Sequence, residues 1–226
     1  MDTIQLRHEF KHTITYSDYL AIRNRLKVIA KPDINASDKG TYSIRSLYFD
    51  NIDDKALRQK IDGVNFREKF RLRYYGGKQD FIRLEKKIKV NGLCGKDVAL
   101  LTREQCEQLL IGEYKWMPDT KNELILEFYA KLKYQQLKPK TIVEYNREPY
   151  VYIPGNVRIT IDSNIRTGLY NKDFLNQNIP TIVAGNEIIL EVKYDEFLPE
   201  IIASMVQVRD TKTEAFSKYA CCRMYG

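Results

Sequence analysis

Histidine and cysteine are scarce in this chain, and neither is spaced for chemistry. The two histidines, His8 and His12, are four residues apart on a predicted strand. At strand rise that is about 13 Å, too far to share a metal ion. The four cysteines, Cys94, Cys106, Cys221 and Cys222, form no CxxC pair and no paired framework. They read as packed thiols of a reducing compartment rather than as disulfides. Neither a Ser-His-Asp nor a Cys-His arrangement can be built from this set. No GxxxxGK[ST] stretch is present, which excludes a P-loop. No apolar run approaches the ~20 residues of a membrane-spanning helix. The start, Met1 to Lys11, carries charges where a signal peptide would have its apolar core. The expectation is a soluble cytoplasmic protein, with room for a membrane partner on another chain that would hold it at the bilayer surface.

Positive charge, by contrast, is plentiful. The formal net charge is +7, which favours nucleic acid, phosphate compounds or an anionic membrane surface as partners. Its distribution is more telling than its size. Glu68–Tyr75 reads EKFRLRYY and Phe81–Lys89 reads FIRLEKKIK, with a glycine-led turn, Gly76 to Asp80, between them. Side chains alternate faces along a strand. Arg67, Lys69, Arg71 and Arg73 therefore share one face, opposite Phe66, Phe70, Leu72 and Tyr74. On the second strand Arg83, Glu85, Lys87 and Lys89 lie opposite Ile82, Leu84 and Ile88.

The rest of the 226 residues repeats this pattern. A strand over residues 3–15 puts Arg7, Glu9 and Lys11 on one face. Helical spacing follows to Ile29, capped from Ser17 or Asp18. Strands are predicted at Tyr42–Asp50, Lys96–Leu101, Thr141–Tyr150, Val157–Ile161, near Thr167–Tyr170, and at Glu187–Tyr194. Helices are predicted at 53–61, 102–110, 122–133, 200–208 and 214–223. Arg158, Thr160 and Asp162 share a face, as do Tyr145 and Arg147, and as do Glu187, Glu191 and Lys193. No linker divides the chain, so residues 1–226 read as one domain. The predicted class is α+β. If the apolar faces pack beneath helices, the charged faces converge, and a closed antiparallel β-barrel with a polar lumen achieves this without exposed edges.

Like charges on adjacent strands repel, so a lumen of this kind calls for an anionic ligand. Carboxylates among the cations, including Glu9, Glu85, Asp162 and Glu191, suit a divalent ion that bridges phosphate oxygens. Cationic clamps plus a metal are what phosphoryl transfer uses, because its catalysis is mostly positioning and charge stabilisation. Tyr42, Tyr48, Tyr74 and Tyr75 are assigned to packing rather than base stacking.

RHEFKH, SLYFD, REKFRLRYY, LEKKIK, VEYNREPY, VRITID, LEVKYD and FSKY occur in that order over residues 4–222. In this order and spacing they resemble the VTC domain, the polyphosphate polymerase branch of the triphosphate tunnel metalloenzymes. The resemblance implies an antiparallel tunnel that binds triphosphate, and a polymerase that builds polyphosphate from ATP with Mn²⁺ or Mg²⁺. It implies phosphate-binding roles for Lys11, Arg71, Arg73, Lys87, Arg147 and Arg158. Tyr145, Lys193, Ser217 and Lys218 would contact substrate, and Glu191 would bind the metal. Face parity adds Arg45 and Arg83 as substrate contacts and Glu9 and Glu85 as metal ligands. The first strand, Arg7-His8-Glu9-Phe10-Lys11, departs from the ExExK of the hydrolytic and cyclase relatives, which disfavours a two-metal hydrolase. Ala215 stands where the eukaryotic polymerase has a lysine. Two alternatives stay open: a tunnel triphosphatase and a non-catalytic polyphosphate-binding subunit. Nucleic acid is not expected, because such a lumen would not admit a duplex.

Overall fold

One-sided strands form wherever apolar and ionisable residues alternate, and here they make up most of the chain. The computed structural model describes residues 4–33, 36, 40–208 and 216–224. The strands are β1 (His8–Ile14), β2 (Lys31–Pro32), β3 (Tyr42–Asp50), β4 (Arg67–Tyr75), β5 (Lys78–Val90), β6 (Leu93–Leu101), β7 (Lys138–Tyr152), β8 (Val157–Thr167), β9 (Ile182–Gly185) and β10 (Ile188–Tyr194). The helices are α1 (Tyr16–Ile29), α2 (Lys55–Ile61), α3 (Arg103–Ile111), α4 (Glu123–Tyr134), α5 (Glu200–Met205) and α6 (Lys218–Met224).

One antiparallel sheet runs in the order β1-β10-β8-β7-β3-β4-β5-β6, with β2 added to β7 and β9 to β8. It curls until its edges meet. Arg7 and Cys94 exchange backbone hydrogen bonds of 2.9 Å each, joining the chain just before β1 to β6. A side chain at Gly95 would crowd this seam, since an added Cβ would lie 2.7 Å from the Ile4 side chain. The α+β class and the curled antiparallel tunnel with peripheral helices are thus as expected. No helix among the described residues is long and apolar enough to cross a membrane.

The apolar strand faces point outward beneath helices. Leu47, Phe70, Leu72 and Leu84 pack against Leu109 of α3 and Phe128 of α4. On the other side Ile159, Ile161, Leu190 and Val192 pack against Ile22 and Leu26 of α1 and Ile202 of α5. A third cluster lies on the lumen side instead, where Tyr48, Tyr145 and Ile189 meet Tyr219 and Cys222 of α6.

Local chemistry explains most element ends. The expected caps of α1 were Ser17 or Asp18; the cap is Thr15, in a reciprocal capping box with Asp18. Thr102 and Gln105 form the same box on α3, as expected. Gly76 and Gly77 both take positive φ, 57° and 74°, so the turn needs two residues rather than five and β5 starts at Lys78. The piece expected at Thr167–Tyr170 is the end of β8 followed by a turn in which Leu169 has φ 51°. Strands β2 and β9 were not anticipated. The last helix begins at Lys218 rather than 214, and Ala215 lies outside the described residues.

Candidate functional site: a cationic tunnel

Directly opposed residues of an antiparallel pair share a face, so register alone lets the lumen wall be followed from strand to strand. Lys11 of β1 lies opposite Glu191 of β10, and Glu191 opposite Thr160 of β8. Asp162 of β8 lies opposite Arg147 of β7. Ser46 of β3 lies opposite Arg73 of β4, and Arg73 opposite Arg83 of β5. These faces enclose a cavity of about 810 Å³.

Its charges fall into three groups. In the first, Lys11 Nζ lies 3.1 Å from Glu9 and 3.2 Å from Glu191, and Lys193 Nζ lies 3.4 Å and 3.0 Å from the same two carboxylates. Lys87 adds a contact of 2.7 Å to Glu9. Burial alone would raise the Glu9 carboxyl, but Lys87, with Lys11 and Lys193, holds it well below the carboxylate range. Burial likewise opposes ionisation of Glu191, and Lys11, Lys193 and Lys87 override it.

The second group centres on Glu85, which is fully buried. Arg71 approaches it to 2.6 Å, Lys96 to 3.4 Å and Arg73 to 3.7 Å. Burial raises this carboxyl, and Arg71 and Arg73 outweigh burial and lower it. In the third group Arg147 donates two hydrogen bonds, of 2.6 and 2.7 Å, to the buried Asp162. Lys218 of α6 reaches the same carboxylate at 2.6 Å, with its Nζ 4.7 Å from the Tyr145 ring centroid. The Tyr219 hydroxyl donates to Asp50 at 2.8 Å, which fixes α6 against the strands.

Most residues expected at the site line this cavity. Lys11, Arg71, Arg73, Lys87 and Arg147 do so from four strands. Arg158 does as well, held by Asp33 at 2.7 Å and donating to the Tyr42 hydroxyl at 3.2 Å. Arg83 lines it with its guanidinium 5.2 Å from the Tyr75 ring centroid. Tyr145, Lys193, Ser217 and Lys218 are present, as are Glu9 and Glu191.

Two assignments are corrected. Arg45 points away from the lumen, because Ser46, not Arg45, pairs across from Arg73. Its side chain binds Glu144 at 2.5 Å and the backbone carbonyl of Asn176. Glu85 does face inward and meets Arg71, Arg73 and Lys96, but it is fully buried and does not line the cavity as Glu9 and Glu191 do, so it is not placed to join them as a metal ligand. The tyrosines also divide. Tyr74 packs on Phe174 outside, with ring centroids 4.9 Å apart, whereas Tyr42, Tyr48 and Tyr75 line the lumen beside arginines. Sequence reasoning put Asp162 and Lys69 on the charged face without assigning them to the site; opposite register to Arg147 and Lys87 brings them in.

Among the described residues, no three His, Cys, Asp or Glu side chains gather as a metal cage. Glu9 and Glu191 do share two lysines, which brings the two carboxylates together. Hard oxygen donors of this kind are the type a divalent ion takes, and Glu9 and Glu191 are the residues that would hold one.

A closed antiparallel sheet with a basic lumen and a carboxylate pair defines a cationic tunnel suited to anionic ligands. The chain belongs to the VTC domain family, whose model matches residues 6–225. No curated protein matches it in sequence. Among solved structures it is similar to a candidate adenylyl cyclase from Hippeastrum described as having a dominant triphosphatase activity. That match has TM-score 0.57 at 13% identity, over 97% of this chain and 96% of that one. A candidate adenylate cyclase from Bacillus halodurans matches with TM-score 0.52 at 12% identity, over 84% of this chain and 80% of the other. At such identities the likeness is one of fold.

Proposed function

We propose that this protein is a polyphosphate polymerase, which transfers the γ-phosphoryl group of ATP to the end of a phosphate chain inside the tunnel. The observation that carries the reading is one carboxylate pair, Glu9 with Glu191, set in a lumen otherwise dominated by arginine and lysine. Arg71, Arg73, Arg147 and Arg158 hold phosphate oxygens and align donor and acceptor. Lys11 and Lys87 neutralise charge on the transferring group. The acceptor oxygen attacks the γ-phosphorus in line, its bond to the β-bridging oxygen breaks, and ADP leaves. No covalent bond to the protein forms. A divalent ion held by Glu191 and Glu9 would further neutralise the phosphate oxygens.

Arg7 supports transfer over two-metal hydrolysis. It stands where ExExK relatives have their first carboxylate, and it is tied to Asp195 at 2.6 Å and to the Asn156 carbonyl. The four free thiols support a reducing, cytoplasmic setting.

The test is incubation of the protein with ATP and Mn²⁺, with and without a pyrophosphate primer. Products are sized on a polyphosphate-stained gel and assayed for ADP and orthophosphate. Long chains with stoichiometric ADP are the expected result. Orthophosphate without chains would replace this reading with a triphosphatase. Bound tripolyphosphate without turnover would leave a binding subunit.

A further inference from the structure

The lumen cations divide by partner. Lys11, Lys87 and Lys193 meet Glu9 or Glu191, Arg71 and Arg73 meet Glu85, and Arg147 meets Asp162. Lys69 of β4 differs from these, and like Arg83 of β5 has no carboxylate paired with it among the described residues. Register sets it opposite Lys87 of β5. Its Nζ lies 5.3 Å from the centroid of the Tyr48 ring on β3. Arg71, on the same strand, donates to the Tyr48 hydroxyl at 2.8 Å, and the Tyr48 ring stacks on Tyr219 of α6 at 4.9 Å. The groups that reach Lys69 are therefore Tyr48 from β3, Arg71 from β4, Lys87 from β5 and Lys11 from β1. A half-buried cation set among other cations is unfavourable unless a counter-charge arrives.

We propose that Lys69 and Tyr48 form a proton-coupled anion subsite in the tunnel wall, where a phosphate oxygen takes the place opposite Lys69 that no protein carboxylate fills and its arrival brings a proton to the pair. The ligand class is a linear triphosphate, inorganic or carried by a nucleotide. The inference rests on reading the lumen as a phosphate tunnel, and it does not depend on the polymerase reaction.

Protonation follows the geometry. Burial lowers the Lys69 ammonium, Lys87, Arg71 and Lys11 lower it further, and it falls to about 7. Burial raises the Tyr48 phenol, but Arg71, Lys69 and Arg73 outweigh it and bring it to about 7 as well. The two titrate together. Near neutrality the empty pair holds less than its full complement of two protons, whichever atom lacks one. An anion beside Lys69 favours the fully protonated pair, and the proton comes from solvent.

The test is calorimetric titration of tripolyphosphate at pH 7.5 in two buffers of different ionisation enthalpy. The unaltered protein, Lys69→Arg/Tyr48→Phe and Lys69→Met are compared, because the difference between them cancels the proton equilibria of the ligand itself. Arginine stays protonated and phenylalanine has no ring proton to give up, so Lys69→Arg/Tyr48→Phe is expected to keep binding while taking up fewer protons, by about half a proton or more. Lys69→Met is expected to bind about tenfold more weakly or worse, the loss of one charge-assisted hydrogen bond. Equal proton uptake by Lys69→Arg/Tyr48→Phe and the unaltered protein would overturn the proposal, as would undiminished binding by Lys69→Met. Absence of binding by the unaltered protein would overturn the phosphate-tunnel reading itself, a separate and recognisable outcome.

Discussion

Glu191 and Glu85 are both buried lumen carboxylates, yet their neighbours give them different work. Glu191 pairs with lysines that also serve Glu9, so replacing it by glutamine removes half of the oxygen-donor pair and makes the lumen more cationic. Glu191→Gln is expected to lower ATP turnover by about 10²-fold, while tripolyphosphate binds as tightly or more tightly. ADP release and calorimetry check the two halves, and undiminished turnover would take Glu191 out of the reaction. Glu85→Gln instead strands Arg71, Arg73 and Lys96 without their counter-charge. A loss of about 3 kcal/mol in urea denaturation is expected, with the metal dependence of activity unchanged. Because the Glu85 carboxyl is lowered on folding, its stabilisation is present above the ordinary value of 4.5 and is lost as pH falls below it. The unaltered protein should therefore lose more stability than Glu85→Gln on acidification from pH 5 to pH 3. Parity placed both residues on the lumen face. It could not say that Arg71 lies directly across from Glu85, since cross-strand register is not written in period two. Arg45 was misread for a related reason: residues 44–50 of β3 are buried on both faces, so no alternation marks its side.

At the scale of elements, the tunnel depends on a short seam. One pair of backbone hydrogen bonds between Arg7 and Cys94 closes the sheet, and Gly95 lets the residues before β1 lie close to β6. An added Cβ would meet Ile4 at 2.7 Å and both Leu6 and Ile88 at 3.0 Å. Those atoms belong to side chains rather than to backbone, so Gly95→Val is expected to cost about 1–3 kcal/mol rather than to unfold the chain. Urea denaturation would read this, and hydrogen exchange at Arg7 and Cys94 would show whether the seam itself loosens. The long strands and capped helices were legible because periodicity and capping chemistry act locally. The seam was not, because its partners are 87 positions apart and its signal is one backbone contact. Strands β2 and β9, of two and four residues, are too short to show a period. They exist because longer neighbours offer them an edge to pair with.

Closure of the whole molecule was legible from a different kind of clue. An open sheet with a solvated charged face would satisfy several strands of one apolar and one ionisable face, but turning the charged faces inward under a cover of helices does so without exposed edges. The result concentrates cations in one lumen while the net charge of the whole chain is only +7. Their mutual repulsion is part of the cost of folding an empty tunnel, and a chain of phosphates relieves it at several points together. Binding to the folded state alone stabilises it by about 2.7 kcal/mol at a ligand concentration of 100 times Kd. For a chain of this size that corresponds to a rise in Tm of about 5–11 °C. Tripolyphosphate should produce such a rise in a thermal melt. Orthophosphate at equal concentration should produce much less, since it reaches only one group of cations at a time. Raising the salt to 1 M, where the Debye length falls to about 3 Å, should shrink the tripolyphosphate shift by weakening its affinity. Equal shifts from orthophosphate and tripolyphosphate would mean that the lumen responds to anionic charge in general, and that its length is not matched to a phosphate chain.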